Sequence, residues 1–212
     1  MIDNAKVFSQ NAIKLTGSKT FYFDPYNIPA DFNDADLIFI THSHYDHFSP
    51  DDIKKVRKDD TKIVITNDII DQVHDELGFD KDNTLIVLPN ADYSIDGIKF
   101  RTIPAYNKIK PFHPRRNSWV GYIIDFDNTT YYIAGDTDYS FESNGVECDV
   151  CFVPVGGKYT MDYIEASKLV NTIKPKLAIP THYGTIVGTP QDGKNFSDLV
   201  DKDIECQILL TF

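Results

Sequence analysis

Short apolar runs separated by polar turns indicate alternating strands and helices in the first third of the chain. The predicted strands lie at residues 36–40, 62–66 and 85–88, and the predicted helices lie at about 50–58 and 68–77. This alternation is the βαβ pattern of a parallel sheet. Two short antiparallel strands within residues 6–24, with their turn at Gly17, are predicted to precede it.

The middle and the end of the chain follow two further patterns. Strands predicted at 98–103, 119–126 and 130–134 form an antiparallel meander, and a second βα stretch has strands at 150–155, 177–179 and 207–210 around a helix at about 161–173. That helix has an apolar stripe and a predicted N-cap, Thr160. The predicted fold class is α/β, an αββα sandwich of two mixed β-sheets with helices on the outer faces, in one domain over residues 1–212.

The net charge of the chain argues against some classes of binding partner. The 212 residues include 21 basic and 32 acidic side chains, so the net charge is −11. A nucleic acid or an anionic membrane needs a basic surface, which argues against both as partners. The first residues lack the apolar region of a signal peptide, and no apolar run reaches the ~20 residues of a membrane helix. We therefore expect a cytoplasmic protein.

Three cysteines include one pair with C-x-x-C spacing. Cys148 and Cys151 form that pair, but Cys151 lies in a strand predicted to be buried. A redox or zinc pair needs a helix start or a second pair, and neither follows. We interpret these cysteines as structural.

A cluster of histidines follows the apolar run at 36–40. His42 and His44 alternate with other residues, so they project to the same side as the strand ends, and Asp46 and His47 follow in the loop. Two imidazoles for one cation, and a carboxylate with an imidazole for another, make half of a two-metal site. Ser49 and the proline after it predict a helix start directly beyond the cluster.

Two later strands also end on a potential metal ligand. An apolar strand stops at Gly135 and leaves Asp136 at its end, and another leaves His182 at its end. Either signal alone is weak, because an aspartate after glycine is usually a turn residue. Asp24, at the end of an earlier strand, is interpreted either as support for the histidine loop or as an ordinary turn residue before proline.

The order and separation of these motifs resemble the metallo-β-lactamase fold superfamily over nearly the whole chain. Residues 104–107 and 156–161 further resemble the branch of predicted zinc-dependent hydrolases related to ascorbate-6-phosphate lactonase. The implied ligands are His42 and His44 for one metal, Asp46, His47 and His182 for a second, and Asp136 as the bridge between them.

The third ligand of the first metal is where this chain departs from the superfamily, which usually has a histidine at the position of Asn107. An amide oxygen is a poorer zinc ligand than imidazole and suits harder cations such as manganese. His113, six residues on, is the alternative ligand; in its proline-rich loop it is otherwise expected to support the site or to face the substrate as a catalytic residue. The expected cofactor is Zn2+ at two sites, the first weak, with Mn2+ as the alternative.

Two metal ions sharing a water supply hydroxide as the nucleophile, and Asp46 is expected to ligate a metal and to orient that hydroxide as a catalytic residue. Basic side chains near the motifs either receive an anionic group or are solvated loop charges: Lys108, Lys110, Arg115, Arg116 and Lys158. The predicted activity is hydrolysis of a small, anionic ester or lactone.

Two other functions remain open from the sequence. One is a phosphodiesterase with the same two metals, and the other is a non-catalytic metal- or ligand-binding protein, which the asparagine at 107 motivates. His74, in a predicted helix, is interpreted as a solvent-exposed bystander. The sequence does not set the oligomeric state.

Overall fold

Two β-sheets organise the chain, and each belongs to a separate stretch of sequence. The computed structural model describes residues 2–212. One compact unit ends at Leu88 and contains a six-stranded sheet, and the other spans Pro89–Phe212 and contains a seven-stranded sheet.

The first sheet has its strands in sequence order. They are β1 Ala5–Val7, β2 Ile13–Thr16, β3 Thr20–Phe23, β4 Ala35–Phe39, β5 Arg57–Thr66 and β6 Thr84–Val87. The strands β1 to β3 pair antiparallel, and β3 to β6 pair parallel. The predicted strand pair turning at Gly17 is confirmed as β2 and β3, and the sheet gains one more strand, β1, at its edge.

Two helices connect the parallel strands of this sheet, α1 Pro50–Val56 and α2 Ile70–Asp75. The predicted start of α1 is confirmed, because Ser49 is the N-cap and its side chain accepts a hydrogen bond from the backbone of Asp52. Ile53 of α1 and Val73 of α2 belong to one apolar cluster with Ile38 and Ile63 of the sheet. Burial of these side chains holds the helices against the strands.

The second sheet combines the predicted meander with a parallel stretch. Its strands are β7 Asp92–Ile95, β8 Ile98–Pro104, β9 Val120–Phe126, β10 Thr129–Ile133, β11 Val150–Pro154, β12 Leu177–Thr181 and β13 Glu205–Cys206. The strands β7 to β10 pair antiparallel, and β10 to β13 pair parallel. Consequently β8, β10 and β12 all end at the same edge of the sheet.

Helices α3 Tyr163–Ile173 and α4 Asp192–Leu199 contact each other and lie against β11 and β12 respectively. The prediction of Thr160 as the N-cap of α3 is wrong. Asp162 is the N-cap: its carboxylate accepts from the backbone of Ile164 and Glu165, and Glu165 reaches back in a capping box. Thr160 is buried instead, and its hydroxyl donates to the Met161 carbonyl.

Three features of the second unit differ from the sequence prediction. The strand predicted at 207–210 is wrong, because pairing to β12 covers only Glu205 and Cys206. The edge strand β7 and helix α4 were not predicted: β7 alternates exposed and half-buried residues, and the buried positions of α4 are only Gly193 and Phe196. Within residues 2–212, no helix has the length and apolar content that a membrane crossing requires.

Candidate metal centre

The histidine cluster of the first unit lies at the carboxyl edge of its parallel strands. His42 to His47 form the loop after β4, and Asp24 directly follows the neighbouring strand β3. The backbone N–H of Asp24 donates to the Phe39 carbonyl at 3.0 Å, so the two strand ends stay in register up to the loop. Sites in open α/β sheets form at such carboxyl ends.

Asp24 supports the histidine loop, which resolves the alternative that the sequence left open. Its side chain is fully buried and accepts four hydrogen bonds. One oxygen accepts from the Thr41 backbone at 2.7 Å, and the other accepts from the Thr41 hydroxyl at 2.7 Å, Asn11 at 2.7 Å and Nδ1 of His47 at 2.8 Å. Its φ of +44° is a left-handed conformation that this network holds in place.

The contact with Asp24 fixes the tautomer of His47. A carboxylate only accepts, so Nδ1 of His47 carries the proton and Nε2 is the lone-pair nitrogen. A carboxylate behind a histidine in this way orients metal-ligating imidazoles in proteins. Nε2 of His42 and Nδ1 of His44 lie 3.0 Å apart, and Oδ2 of Asp46 lies 3.7 Å from Nε2 of His47. The donor set of the first unit is thus three imidazoles and a carboxylate, which suits a transition metal.

In the second unit, Asp136 and His182 follow the ends of β10 and β12, the two strands that flank β11 in the parallel stretch. Gly135, with φ of +64°, turns the chain after β10 so that the Asp136 side chain is buried at the sheet edge. His182 directly follows β12 and has φ of +56°, which is uncommon for a residue with a side chain. Oδ2 of Asp136 lies 3.3 Å from Nε2 of His182 and 3.3 Å from Nε2 of His113.

Gly156 makes room for the backbone of His182. A Cβ added at Gly156 would lie 2.2 Å from the His182 carbonyl oxygen, closer than any side chain can approach. The loop after β11 therefore passes directly against the loop after β12 only because a glycine stands there.

Asn107 and His113 interact in a way that the sequence did not reveal. The amide oxygen of Asn107 accepts from the backbone N–H of His113 at 3.1 Å and from its Nδ1 at 2.9 Å. The amide nitrogen donates to Asp138 at 3.0 Å and to the Tyr159 carbonyl at 2.8 Å, which fixes which atom is the oxygen. His113 is buried, with Nε2 as its lone-pair nitrogen.

Two of the basic residues near these loops are paired with carboxylates of the protein. Lys110 donates to Asp138 at 2.8 Å, and Arg115 donates to Glu142 at 2.5 Å while lying over the Tyr106 ring. Lys108, Arg116 and Lys158 are exposed, and the Arg115 side chain is exposed as well despite its partner. Lys110 and Arg115 thus have carboxylate partners within the protein.

His74 differs in solvent exposure from the sequence prediction. His74 is half-buried rather than solvent-exposed. It lies one helical turn after Ile70 and lines a pocket with Ile86 of β6, and its Nε2 is shielded from solvent.

The interpretation of the cysteines as structural agrees with their burial, which raises the pKa of the Cys148 thiol to about 12. Cys151 is fully buried, and all three cysteines are free thiols.

Comparison with known proteins identifies the family of this chain. The model of the β-lactamase superfamily domain matches residues 9–182. The chain belongs to this family. A UPF0173 metal-dependent hydrolase of Pyrococcus horikoshii is 32% identical over 96% of this chain and 95% of its own length, and one of Thermococcus kodakarensis is 32% identical over 96% and 95%.

Solved structures agree with the superfamily assignment. The structure of a metallo hydrolase from Ignicoccus hospitalis has a TM-score of 0.78 at 21% identity, covering 96% of this chain and 93% of that one. A protein from Parabacteroides distasonis, described provisionally as a metal-dependent hydrolase, has a TM-score of 0.79 at 29% identity over 98% and 93%. These likenesses confirm the predicted αββα fold of two mixed sheets.

The chain belongs to the β-lactamase superfamily and is similar over nearly its whole length to UPF0173 metal-dependent hydrolases. It is therefore a metal-dependent hydrolase, which confirms the prediction from the sequence. A non-catalytic binding protein is therefore no longer a competing reading. The sequence did not single out Asp138, which is buried beside Asn107. Its only signal was a second acid two residues beyond the strand-end Asp136.

Proposed function

We propose that this hydrolase binds two metal ions and cleaves a small anionic ester or lactone. The observation that carries the proposal is shared by His47 and His113. Each imidazole has its Nδ1 hydrogen-bonded to an oxygen, from Asp24 or Asn107, and so offers Nε2 as a ligand nitrogen. Two buried histidines oriented in this manner fit a metal centre better than a solvated histidine loop.

The proposed ligand sets follow the family resemblance with one change. His113 takes the place proposed for Asn107, because the amide oxygen of Asn107 already accepts two hydrogen bonds from His113. The first metal is then bound by His42, His44 and His113, the second by Asp46, His47 and His182, with Asp136 shared by both. Replacing an amide oxygen with imidazole favours Zn2+ over Mn2+.

When bound, such metal ions lower the pKa of a shared water and polarise the reacting oxygen of the substrate. The side chains of this protein add orientation and charge. Asp46 is buried beside Nε2 of His47, and its carboxylate is proposed to accept a proton from the attacking water or to hold that water in line. Asp136 contributes a negative charge between two imidazoles, which offsets the positive charge of the cations.

The negative charge of the substrate is inferred from two exposed lysines on the loops near the candidate site. Lys108 and Lys158 are exposed on loops that follow β8 and β11, at the edge where Asp136 and His182 lie. In a protein of net charge −11, two such lysines favour an anionic group on a small substrate. The lactone or ester class itself rests on the resemblance to ascorbate-6-phosphate lactonase.

Residues 1–212 are proposed to act as one hydrolase domain, since the superfamily match extends across both compact units. A cytoplasmic location is proposed because the cysteines are free thiols, as expected in a reducing compartment.

Metal content and a substrate panel test the proposal. Protein purified without chelator is expected to hold close to two equivalents of zinc by mass spectrometry. Hydrolysis of carboxylated or phosphorylated lactones and esters is expected to exceed that of neutral analogues, and to require metal. A bis-aryl phosphate hydrolysed much faster than any lactone would favour the phosphodiesterase instead.

Paired histidine variants separate the proposed site from general damage. His44→Ala is expected to reduce bound metal by about one equivalent and to lower turnover by at least 100-fold. His74→Ala, which removes a half-buried histidine outside the proposed ligand set, is expected to retain both. No metal in the wild type, even after incubation with Zn2+ and Mn2+, would overturn the two-metal proposal.

A further inference from the structure

We propose that Lys110, Asp138 and Asn107 form a positioning relay that sets the tautomer and the direction of the His113 ring. The inference rests on the proposed function, because it assigns a purpose to the orientation of a proposed ligand. None of the three relay residues is proposed to touch metal or substrate.

Asn107 is the central member, because it contacts His113 at two points. Its amide oxygen accepts from the backbone N–H of His113 and from Nδ1 of the same residue, at 3.1 Å and 2.9 Å. The backbone N–H of Asn107 donates to the His113 carbonyl at 2.8 Å. The two residues are therefore clamped by three hydrogen bonds across a six-residue loop. An imidazole held in this way has neither a second tautomer nor a second ring orientation available at low cost.

The direction of the Asn107 amide is fixed from its other end. Its Nδ2 donates to Oδ1 of Asp138 and to the Tyr159 carbonyl, and both of these atoms only accept. A 180° rotation of the amide would bring its oxygen against those two acceptors and its N–H2 against the N–H groups of His113. The amide therefore holds one orientation, which is the one that keeps the proton on Nδ1 of His113.

Asp138 holds Asn107, and Lys110 holds Asp138. The Asp138 carboxylate is buried and accepts from the Lys108 backbone at 3.0 Å and from Lys110 Nζ at 2.8 Å, besides Asn107. A buried carboxylate needs a compensating charge, and Lys110 supplies it. Lys110 Nζ also donates to the Thr160 carbonyl at 2.5 Å, so it ties the loop after β8 to the loop after β11.

The relay has the same arrangement as the Asp24 contact of His47, but with a neutral acceptor. His47 receives a carboxylate directly, whereas His113 receives an amide oxygen whose charge partner is one residue further away. A neutral acceptor raises ligand basicity less than a carboxylate does. We therefore expect the metal at His113 to be the more weakly bound of the two, and to depend on the relay.

The test measures metal affinity and histidine tautomer, not only turnover. With a chromophoric chelator as competitor and Zn2+ as the metal, Asn107→Leu is expected to weaken one of the two zinc equivalents by about 10- to 100-fold and to leave the other unchanged. Lys110→Met is expected to weaken the same equivalent by a smaller factor. Nitrogen NMR of histidine-labelled, metal-free protein is expected to show His113 as the Nδ1–H tautomer in the wild type and a tautomer mixture in Asn107→Leu.

Arg115→Met is the matched control. It removes another basic side chain of the same loop that is paired with a carboxylate, Glu142, and it does not touch the relay. Arg115→Met is expected to keep both zinc equivalents and the His113 tautomer. Equal weakening by Lys110→Met and Arg115→Met would mean that the loop is merely disturbed and would overturn the relay. The relay would also be overturned if Asn107→Leu bound both zinc equivalents as tightly as the wild type does. A wild type without two zinc equivalents would instead refute the two-metal proposal, while the NMR result would still test the relay.

Discussion

At the scale of single residues, Asp24 is the side chain whose change is expected to matter most in the first unit. One of its oxygens accepts three hydrogen bonds and the other accepts one, all from buried donors. Asp24→Asn keeps the size but replaces one acceptor with N–H2, which faces at least one donor. Leaving buried donors without acceptors costs about 1–3 kcal/mol each.

We therefore expect Asp24→Asn to lower the free energy of unfolding by about 2–3 kcal/mol in metal-free protein, measured by urea denaturation. Asp59→Asn, an acid-to-amide change at an exposed position of β5, is the control and is expected to change stability by less than about 0.5 kcal/mol. Equal effects of the two substitutions would contradict the structural role of Asp24.

Only part of the candidate site could be predicted from the sequence. The ends of apolar strands, with His or Asp directly after them, could be predicted from local pattern. The role of Asp24 was left open and the contact of Asn107 with His113 was not foreseen, because each depends on partners brought together only by folding. Asn107 and Asp138, for example, are 31 residues apart in the chain.

At the scale of elements, the start of α1 carries a pH-dependent contribution to stability. Asp52 is buried, and burial by itself raises its pKa. Hydrogen bonds from Lys55, Ser49 and the backbone amides of Ile28 and Asn27 outweigh that effect, so the pKa of Asp52 lies below its ordinary value. A lowered pKa in the folded state stabilises the protein above the unfolded pKa of about 3.9, and the stabilisation is lost as the pH falls towards the folded pKa.

Asp52→Asn is accordingly expected to cost about 1–3 kcal/mol at pH 7, with the difference from wild type shrinking below about pH 4. Urea denaturation at several pH values between 3 and 7 measures it. Asp51→Asn changes the neighbouring acid of the same helical turn, whose side chain is 93% exposed, and is expected to have little effect at any pH. A cost of Asp52→Asn that stays constant down to pH 3 would show that its charge contributes nothing.

Elements that the sequence did not predict share a physical cause. The buried positions of helix α4 are Gly193 and Phe196, so the helix offers the core one large apolar side chain at a fully buried position. Gly193 also lowers helix propensity, yet the fold requires it, because a Cβ there would lie 2.3 Å from the Tyr183 hydroxyl. Helix α4 therefore depends on tertiary packing, whereas the start of α1 could be predicted from its capping residues alone.

At the scale of the whole molecule, the predicted architecture of two mixed sheets could be derived from the alternation of elements, and its superfamily from the spacing of motifs. The proposed metal ligands come from distant parts of the sequence, namely residues 42–47, 113, 136 and 182. Metal ions that bind these groups in the folded chain, and not in the unfolded chain, stabilise the fold by mass action. Stability and metal binding are then expected to be linked.

Removal of metal is therefore expected to lower the melting temperature. Free zinc at 100 times its Kd adds about 2.7 kcal/mol, which for a chain of this length corresponds to a shift of about 5–10 °C. Calorimetry with and without chelator measures that shift, and added Zn2+ is expected to reverse it. His47→Ala, which removes a proposed ligand, is expected to show a smaller response to chelator than His74→Ala, which leaves the ligand set whole. Any ion that binds these histidines only in the folded state must stabilise that state. A wild-type melting temperature that changes with neither chelator nor added metal would therefore contradict metal binding at these residues.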